Sequence, residues 1–220
     1  MSSQRQRLAF FIVWFAILGW ITSIGQAASA LAPNDLLKQV QQRFDTLKDY
    51  QCIFVTTGYK NGKVKEETNN YFFKKPQLIR LEVTSGKDKG AVAIYNRQGK
   101  VRAHAGGLLG VFKITMEPND KRLLDSEGNS FVDSHLGGAI RDMSKLLATA
   151  SNASITEIDR QGRCYLLQVE RPNKKDLIIV NTQQLLPIEW QSYKDGQPTS
   201  KTEWRSLRVD QGLADSLFEM

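Results

Sequence analysis

The chain has 220 residues, 41% hydrophobic and 24% charged, with a formal net charge of +7. That length holds one domain, or at most two small ones. The two cysteines form no CxxC, which excludes a thioredoxin-type role, and the basic residues are scattered rather than clustered, which argues against nucleic-acid binding.

The first 30 residues stand apart. Arg5 and Arg7 make a short basic start, Leu8 to Gly25 is apolar and uncharged, and Ala28-Ser29-Ala30 has the small-x-small pattern of a signal-peptidase site. This reads as a secretory signal cleaved after Ala30, which leaves residues 31–220 as one exported domain and nucleic acid out of reach. The rival reading is an uncleaved inner-membrane anchor, since the run is about as long as the shortest transmembrane helices. No cysteine sits near the cut, so a lipid anchor there is not expected. Without the two arginines of this segment, 28 basic residues face 23 acidic ones. A mildly basic surface fits either simple solubility or attraction to anionic headgroups or acidic partners. In an oxidising compartment Cys52 and Cys164 allow one disulfide, and two buried thiols fit nearly as well.

The first element after the cut is a helix, Asp35 to Asp49, with Asn34 as N-cap and Leu36, Leu37, Val40, Phe44 and Leu47 recurring on one face. Strands follow. Tyr50 to Tyr59 turns at Asn61-Gly62 into Lys63 to Lys74. Gln77 to Thr84 goes out again with Ile79, Leu81 and Val83 on one face. Gly90 to Asn96 follows, and Gln98-Gly99 turns into Lys100 to His104. Gly106, Gly107 and Gly110 then space out Leu108, Leu109, Val111 and Phe112, a pattern open to a mobile loop or an ordinary buried turn. After a polar stretch, Glu117 to Asn129, Gly137-Gly138 opens a second helix, Ala139 to Thr149, with Ile140, Met143, Leu146 and Leu147 as its apolar stripe. The last third is strands: Ser154 to Asp159, Arg163 to Glu170, Lys174 to Asn181, Leu185 to Tyr193 and Thr199 to Leu207, with turns at Gln161-Gly162 and Asp195-Gly196. Leu213, Leu217 and Phe218 give the tail apolar residues to tuck back.

About ten short strands joined by tight turns are antiparallel. At about 4.8 Å each they make a sheet roughly 48 Å wide. Helices of about 15 and 11 residues are only about 22 and 17 Å long. They do not cover a flat sheet of that width, yet nearly every strand has an apolar face. The sheet is therefore expected to curl on itself as an incomplete barrel, a mainly antiparallel α+β fold with the helices as a lid over an apolar cavity.

Inside "YFFKKPQLIRLEV" (71–83) a Lys-Lys-Pro step separates two strands. Pro76 donates nothing to a ladder and biases Lys75 to extended geometry. The step ends one strand and bends the chain into the next, which would set Lys74 and Lys75 at the mouth of the curved surface. There they would either discourage edge pairing or meet a lipid headgroup or a partner's acidic patch.

This stretch, after an amphipathic helix and a first hairpin, resembles the periplasmic lipoprotein-carrier (LolA-like) family, with its aromatic strand, basic-Pro step and apolar strand. "LLPIEWQSYKDGQPTSKTEWRSLRVDQGLADSLF" resembles that family's closing hairpin. The resemblance implies a half-barrel over an apolar cavity, acylated lipoprotein or lipid as cargo, a monomer, and an inner-membrane release complex and outer-membrane acceptor as further partners. Related domains bind other lipids or sense envelope stress. The family has Arg before the proline; Lys75 keeps the charge and loses the planar fork. The cavity walls expected under this resemblance are Phe54, Phe72, Ile79, Leu81, Val83, Ile94, Leu167, Val169, Ile178, Val180, Trp190 and Trp204. The expected lid is Leu108, Leu109, Phe112, Ile140, Met143 and Leu147, with Lys75 at the mouth.

Catalytic patterns are missing from the sequence. His104 and His135 share no metal spacing with each other or with the cysteines. Asp133-Ser134-His135 has triad residue types, but neighbours in a row do not converge as a triad does. No G-x-S-x-G, Walker A, G-x-G-x-x-G or H-E-x-x-H occurs. The expectation is a non-enzymatic carrier or binder of acylated cargo that uses no cofactor or metal. The alternative is an envelope sensor or interaction domain whose half-barrel is filled by its own side chains.

Overall fold

The computed structural model describes residues 31–107, 112–124, 130–160 and 162–220. The expected signal segment and the expected lid residues Leu108 and Leu109 lie outside the described residues. Among those described, no helix is long and apolar enough to cross a membrane.

Helix α1 (Pro33–Thr46) buries Leu36, Val40 and Phe44. Its N-cap is Ala32 rather than Asn34, and no side chain caps it. Pro33 explains the shift, because its fixed φ and missing N–H suit the first helical position. The helix also ends earlier than its periodicity suggests. Asp49 already belongs to β1 (Asp49–Lys60), where its carboxylate accepts the backbone N–H groups of Gln211, Gly212 and Leu213.

Five more strands follow: β2 (Lys63–Lys74), β3 (Leu78–Ser85), β4 (Val92–Tyr95), β5 (Val101–His104) and β6 (Lys113–Met116). Helix α2 (Leu136–Ala148) then leads to β7 (Asn152–Asp159), β8 (Arg163–Arg171), β9 (Lys174–Asn181), β10 (Leu186–Lys194) and β11 (Gln197–Val209). Strand β6 is the one the sequence reading missed; four residues beside a glycine-rich segment are too short for alternation to show. All eleven strands form one antiparallel sheet in the order β6-β5-β4-β3-β2-β1-β11-β10-β9-β8-β7. Asn61-Gly62 and Asp195-Gly196 close their hairpins with positive φ at both residues, as two-residue primed turns require. The sheet remains open between β6 and β7, so this is a half-barrel rather than a closed barrel.

The chain returns from the β6 edge to the β7 edge through α2, which packs on α1. Both helices therefore cover the inner face. Beneath them Tyr50, Tyr71, Phe73, Ile79, Leu136, Ile140 and Met143 are all essentially inaccessible. Tyr50 stacks on Phe73 at 5.1 Å and on Tyr71 at 6.0 Å. The space under the helices is filled with side chains, chiefly because the inner faces of β1 and β2 are aromatic.

The start of α2 differs from expectation. The helix begins at Leu136, its N-cap is His135, and Gly137 and Gly138 lie inside the first turn. Both glycines serve close packing. A Cβ on Gly138 would collide with the Asp133 carbonyl, and one on Gly137 would sit 2.7 Å from the Phe44 ring. The His135 Nδ1 accepts the Gly138 N–H at 3.3 Å, and the Tyr50 hydroxyl accepts the Leu136 N–H at 2.9 Å. Two of the donors that a helix start leaves unpaired are thus satisfied.

The Lys-Lys-Pro step corrects another expectation. Strands β2 and β3 are interior, each paired on both sides, so the lysines guard no edge. Nor does Lys75 stand at a cavity mouth. Its Nζ donates to the carbonyls of Phe44 and Asp45, each at 2.7 Å, and lies 4.8 Å from the Phe44 ring centroid. Lysine at this place caps the C-terminus of α1, where carbonyls lack partners and the helix dipole favours a cation. Lys74 points to the other face, donating to the Leu213 carbonyl at 2.5 Å and pairing with Asp215 at 2.9 Å. A Lys75→Ala variant is expected to lose about 2 kcal/mol of stability through the two charge-assisted hydrogen bonds and the ring contact, measurable by urea unfolding. Lys74→Ala, which frees only the tail, should lose clearly less.

The possible disulfide is not formed. Cys52 and Cys164 are both free and buried. Cys52 sits on β1 and packs in the inner core. Cys164 sits on β8 in register with Ile158 and Asn181, one and three residues before the inward-facing Tyr165 and Leu167. The two strands are four steps apart in the sheet, about 19 Å at the usual spacing, far beyond the roughly 7 Å Cα limit of a disulfide. Burial pushes both thiols above their ordinary pKa.

Candidate functional site

The helices cover only part of the inner face. The wing formed by β3 to β6 has its own small core of Val101, Met116, Leu123 and Val132. The short 3-10 turn Lys121–Leu123 supplies part of it.

Between this core and the sheet lies a groove of about 260 Å³, lined by residues that include Leu81, Val83, Ala93, Ala103, Ile114, Met116 and Leu123. Its floor follows from strand register. Leu81 is opposite Ala93, Ala93 opposite Ala103, and Ala103 opposite Ile114. One row across four strands thus reads Leu, Ala, Ala, Ile. The two central strands present only a methyl group each, and the row is hollow in the middle. His104 and Arg122 are the ionisable residues of the lining. Arg122 is held by Asp120, through Nε at 3.0 Å and Nη2 at 2.6 Å. The guanidinium lowers the Asp120 carboxyl to about 2.

A second cavity, about 200 Å³, lies on the outer face under the tail. There Phe218 packs on Leu78 and Ile94 with Leu213 and Leu217 alongside, so the expected tucking of the tail occurs on the outer face. This cavity mixes both charges, with Arg97 paired to Asp215 and Arg102 nearby, and offers no apolar chamber.

The expected wall residues divide among three places. Leu81 and Val83 line the groove. Phe54, Ile79, Leu167, Val169, Ile178, Val180 and Trp204 belong to the filled core under the helices, with Trp190 packed against it. Phe72 and Ile94 face outward, each in register with Arg80, and pack with the tail cluster. Their misplacement has a simple cause: Phe72 and Phe73 are adjacent aromatics on opposite faces, and alternation alone does not say which faces in. Of the expected lid, Ile140 and Met143 are fixed in the core with Leu147 packed on it. Phe112 is 72% exposed at the wing. The residues that sequence reasoning missed are Ala93 and Ala103. Their signal, small residues at matching positions of neighbouring short strands, becomes visible only once the register is known.

Asp133-Ser134-His135 is committed to packing. The Ser134 hydroxyl donates to the Phe131 carbonyl at 2.6 Å and lies 3.0 Å from the Tyr71 hydroxyl, and His135 caps α2. Among the described residues, no group of three or more His, Cys, Asp or Glu side chains could hold a metal ion.

No protein-family model and no curated protein matches the chain. Solved structures do. An uncharacterised conserved protein from Thermus thermophilus is 9% identical, with a TM-score of 0.53 over 85% of this chain and 92% of its own. MucB is 14% identical, with a TM-score of 0.52 over 86% of this chain and 62% of its own. A LolA superfamily protein from Nitrosomonas europaea is 9% identical, with a TM-score of 0.40 over 87% of this chain and 99% of its own. At these identities the likeness is one of fold alone. In fold, this chain is an open antiparallel half-barrel with two helices on its inner face, as its likeness to the Thermus thermophilus protein and to MucB supports.

Proposed function

We propose that the protein is a non-enzymatic binder of acylated cargo, a lipid or lipoprotein, and holds one acyl segment in the groove of the β3–β6 wing after export to the periplasm. The observation that supports this is the hollow Leu81-Ala93-Ala103-Ile114 row, flanked by the apolar side chains of Val83, Met116 and Leu123. A methylene takes roughly the 30 Å³ that water occupies in the liquid, so 260 Å³ holds about eight of them. At about 0.8 kcal/mol each, their burial contributes on the order of 6 kcal/mol before ordering costs. That corresponds to a Kd no tighter than tens of micromolar for the chain alone. Such modest affinity suits cargo that is taken up and passed on, with the rest of the cargo adding contacts at the rim. The apolar cavity expected beneath the helices gives way to a groove beside them.

A second reading rests on the filled inner face under α1 and α2. A packed bowl favours an interaction or sensor domain whose partner meets the surface. Titration of the protein with a fluorescent fatty acid separates the two. One saturable site per chain is the expected result. Absence of saturable uptake up to the solubility limit of the probe would overturn the acyl-binding reading and leave the interaction domain.

A further inference from the structure

The tip of the same wing has a chemistry that the groove does not explain. The loop joining β3 to β4 carries Lys87 and Lys89, and its Gly90 lies against Gly106 in the segment after β5. A Cβ on Gly106 would collide with the Lys89 carbonyl. The loop and this segment are therefore held side by side. Strand β6 starts at the same end, since Lys113 is in register with His104 and His104 with Val92. Here Phe112 is 72% and Ile114 44% exposed, among the largest exposures of apolar side chains among the described residues. Lys87, Lys89 and Lys113 are exposed and form no salt bridge among the described residues. Acids also lie near the loop: Asp88 within it, and Glu66 and Glu67, which pack against Gly86, with Asp88 close enough to act on Glu67. Residues 86–124 hold eight Lys and Arg against three Asp and Glu, a surplus as large as that of the whole chain from residue 31 onward.

We propose that this tip, Phe112 and Ile114 flanked by Lys87, Lys89 and Lys113, docks on the surface of an anionic lipid bilayer. An aromatic and a branched aliphatic side chain standing free in water gain by entering the acyl boundary. Lysines around them gain from the negative surface potential, each by an amount that falls off within a Debye length. Ile114 belongs at once to the tip and to the groove floor, so docking brings the groove's open side to the membrane. The proposal rests on the acyl-binding reading for its purpose, though not for its physics.

The test uses the full chain with Phe112→Cys carrying an environment-sensitive fluorophore, the native thiols being buried. A second label at Thr156→Cys reports the opposite sheet edge. Vesicles are phosphatidylcholine alone or with about one-third phosphatidylglycerol. Expected is a blue shift at position 112 with the anionic vesicles, none at position 156, and reversal by about 0.5 M salt. Adding Lys89→Glu and Lys113→Glu should weaken the response on the order of tenfold. No shift at position 112, an equal shift at both positions, or a shift with neutral vesicles that the charge reversals leave untouched would overturn the proposal. Fatty-acid uptake measured without vesicles keeps the two ideas apart. Intact uptake with no vesicle response removes the docking surface alone, and a vesicle response without uptake removes the acyl-binding reading alone.

Discussion

Filling the groove from its floor with Ala93→Leu and Ala103→Leu is expected to lower fatty-acid affinity by at least about a hundredfold while leaving the fold intact. Each substitution adds three carbons to a row that is otherwise Leu81, Ala93, Ala103, Ile114. The new side chains occupy the space where about six methylenes of the ligand would lie, and at about 0.8 kcal/mol each that is several kcal/mol of lost burial. Both alanines are only partly buried, so the leucines extend into open groove rather than into packed neighbours, and overpacking strain is small. Thermal unfolding should therefore be unchanged or slightly raised. The paired measurement matters: weaker binding with an unaltered melting temperature locates the site, whereas undiminished binding would move it elsewhere. A matching pair in the filled core, Ile178→Val and Val180→Ala, should do the reverse, costing stability through lost packing and leaving uptake in place.

The second large effect concerns pH. His135 is buried between the rings of Phe73, at 5.0 Å, and Phe44, at 6.1 Å. Burial, with a smaller contribution from the Arg141 charge, lowers its pKa from 6.5 to about 4, and Asp133 opposes this weakly. The unfolded chain binds the proton near pH 6.5 and the folded chain only near pH 4. The stabilisation is therefore complete above about pH 6.5 and is lost progressively as the pH falls towards 4. Over that window the loss is on the order of 3 kcal/mol. The physical event is the placing of a charge between two apolar rings, with the loss of the weaker acceptor of the Gly138 N–H, which also donates to the His135 carbonyl at 2.8 Å. Urea unfolding from pH 7.5 to 4.5 reads it directly. His135→Asn can still cap a helix and does not titrate, so its profile should be flatter than the parent's by about this amount. Carboxylates held low by basic neighbours, such as Asp210 and Asp215, act equally on both proteins and cancel in the difference. Parallel profiles would show that His135 is not the group responsible.

Much of the architecture was legible in the residues. The Asn61-Gly62 and Asp195-Gly196 turns, the antiparallel order, the two helices and the mismatch between sheet width and helix length all came from local patterns. The curl followed because an apolar sheet face needs cover. Adjacent aromatics misled the face assignment at Phe72, and Pro33 displaced the expected cap from Asn34. The lysine of the Lys-Lys-Pro step looked like a surface cation because its partners, the carbonyls of Phe44 and Asp45, are backbone atoms that no side-chain pattern announces.

The sequence by itself determined that this chain would be a mostly antiparallel, partly closed sheet with helices on one side, because hydrogen-bonded hairpins and apolar alternation are short-range properties. Only the tertiary structure decided where empty space remains. Whether an inner face is filled or hollow depends on which side chains from distant strands meet in one row. Tyr50, Tyr71 and Phe73 meet under the helices and fill that space, while Ala93 and Ala103 meet in the wing and leave a groove.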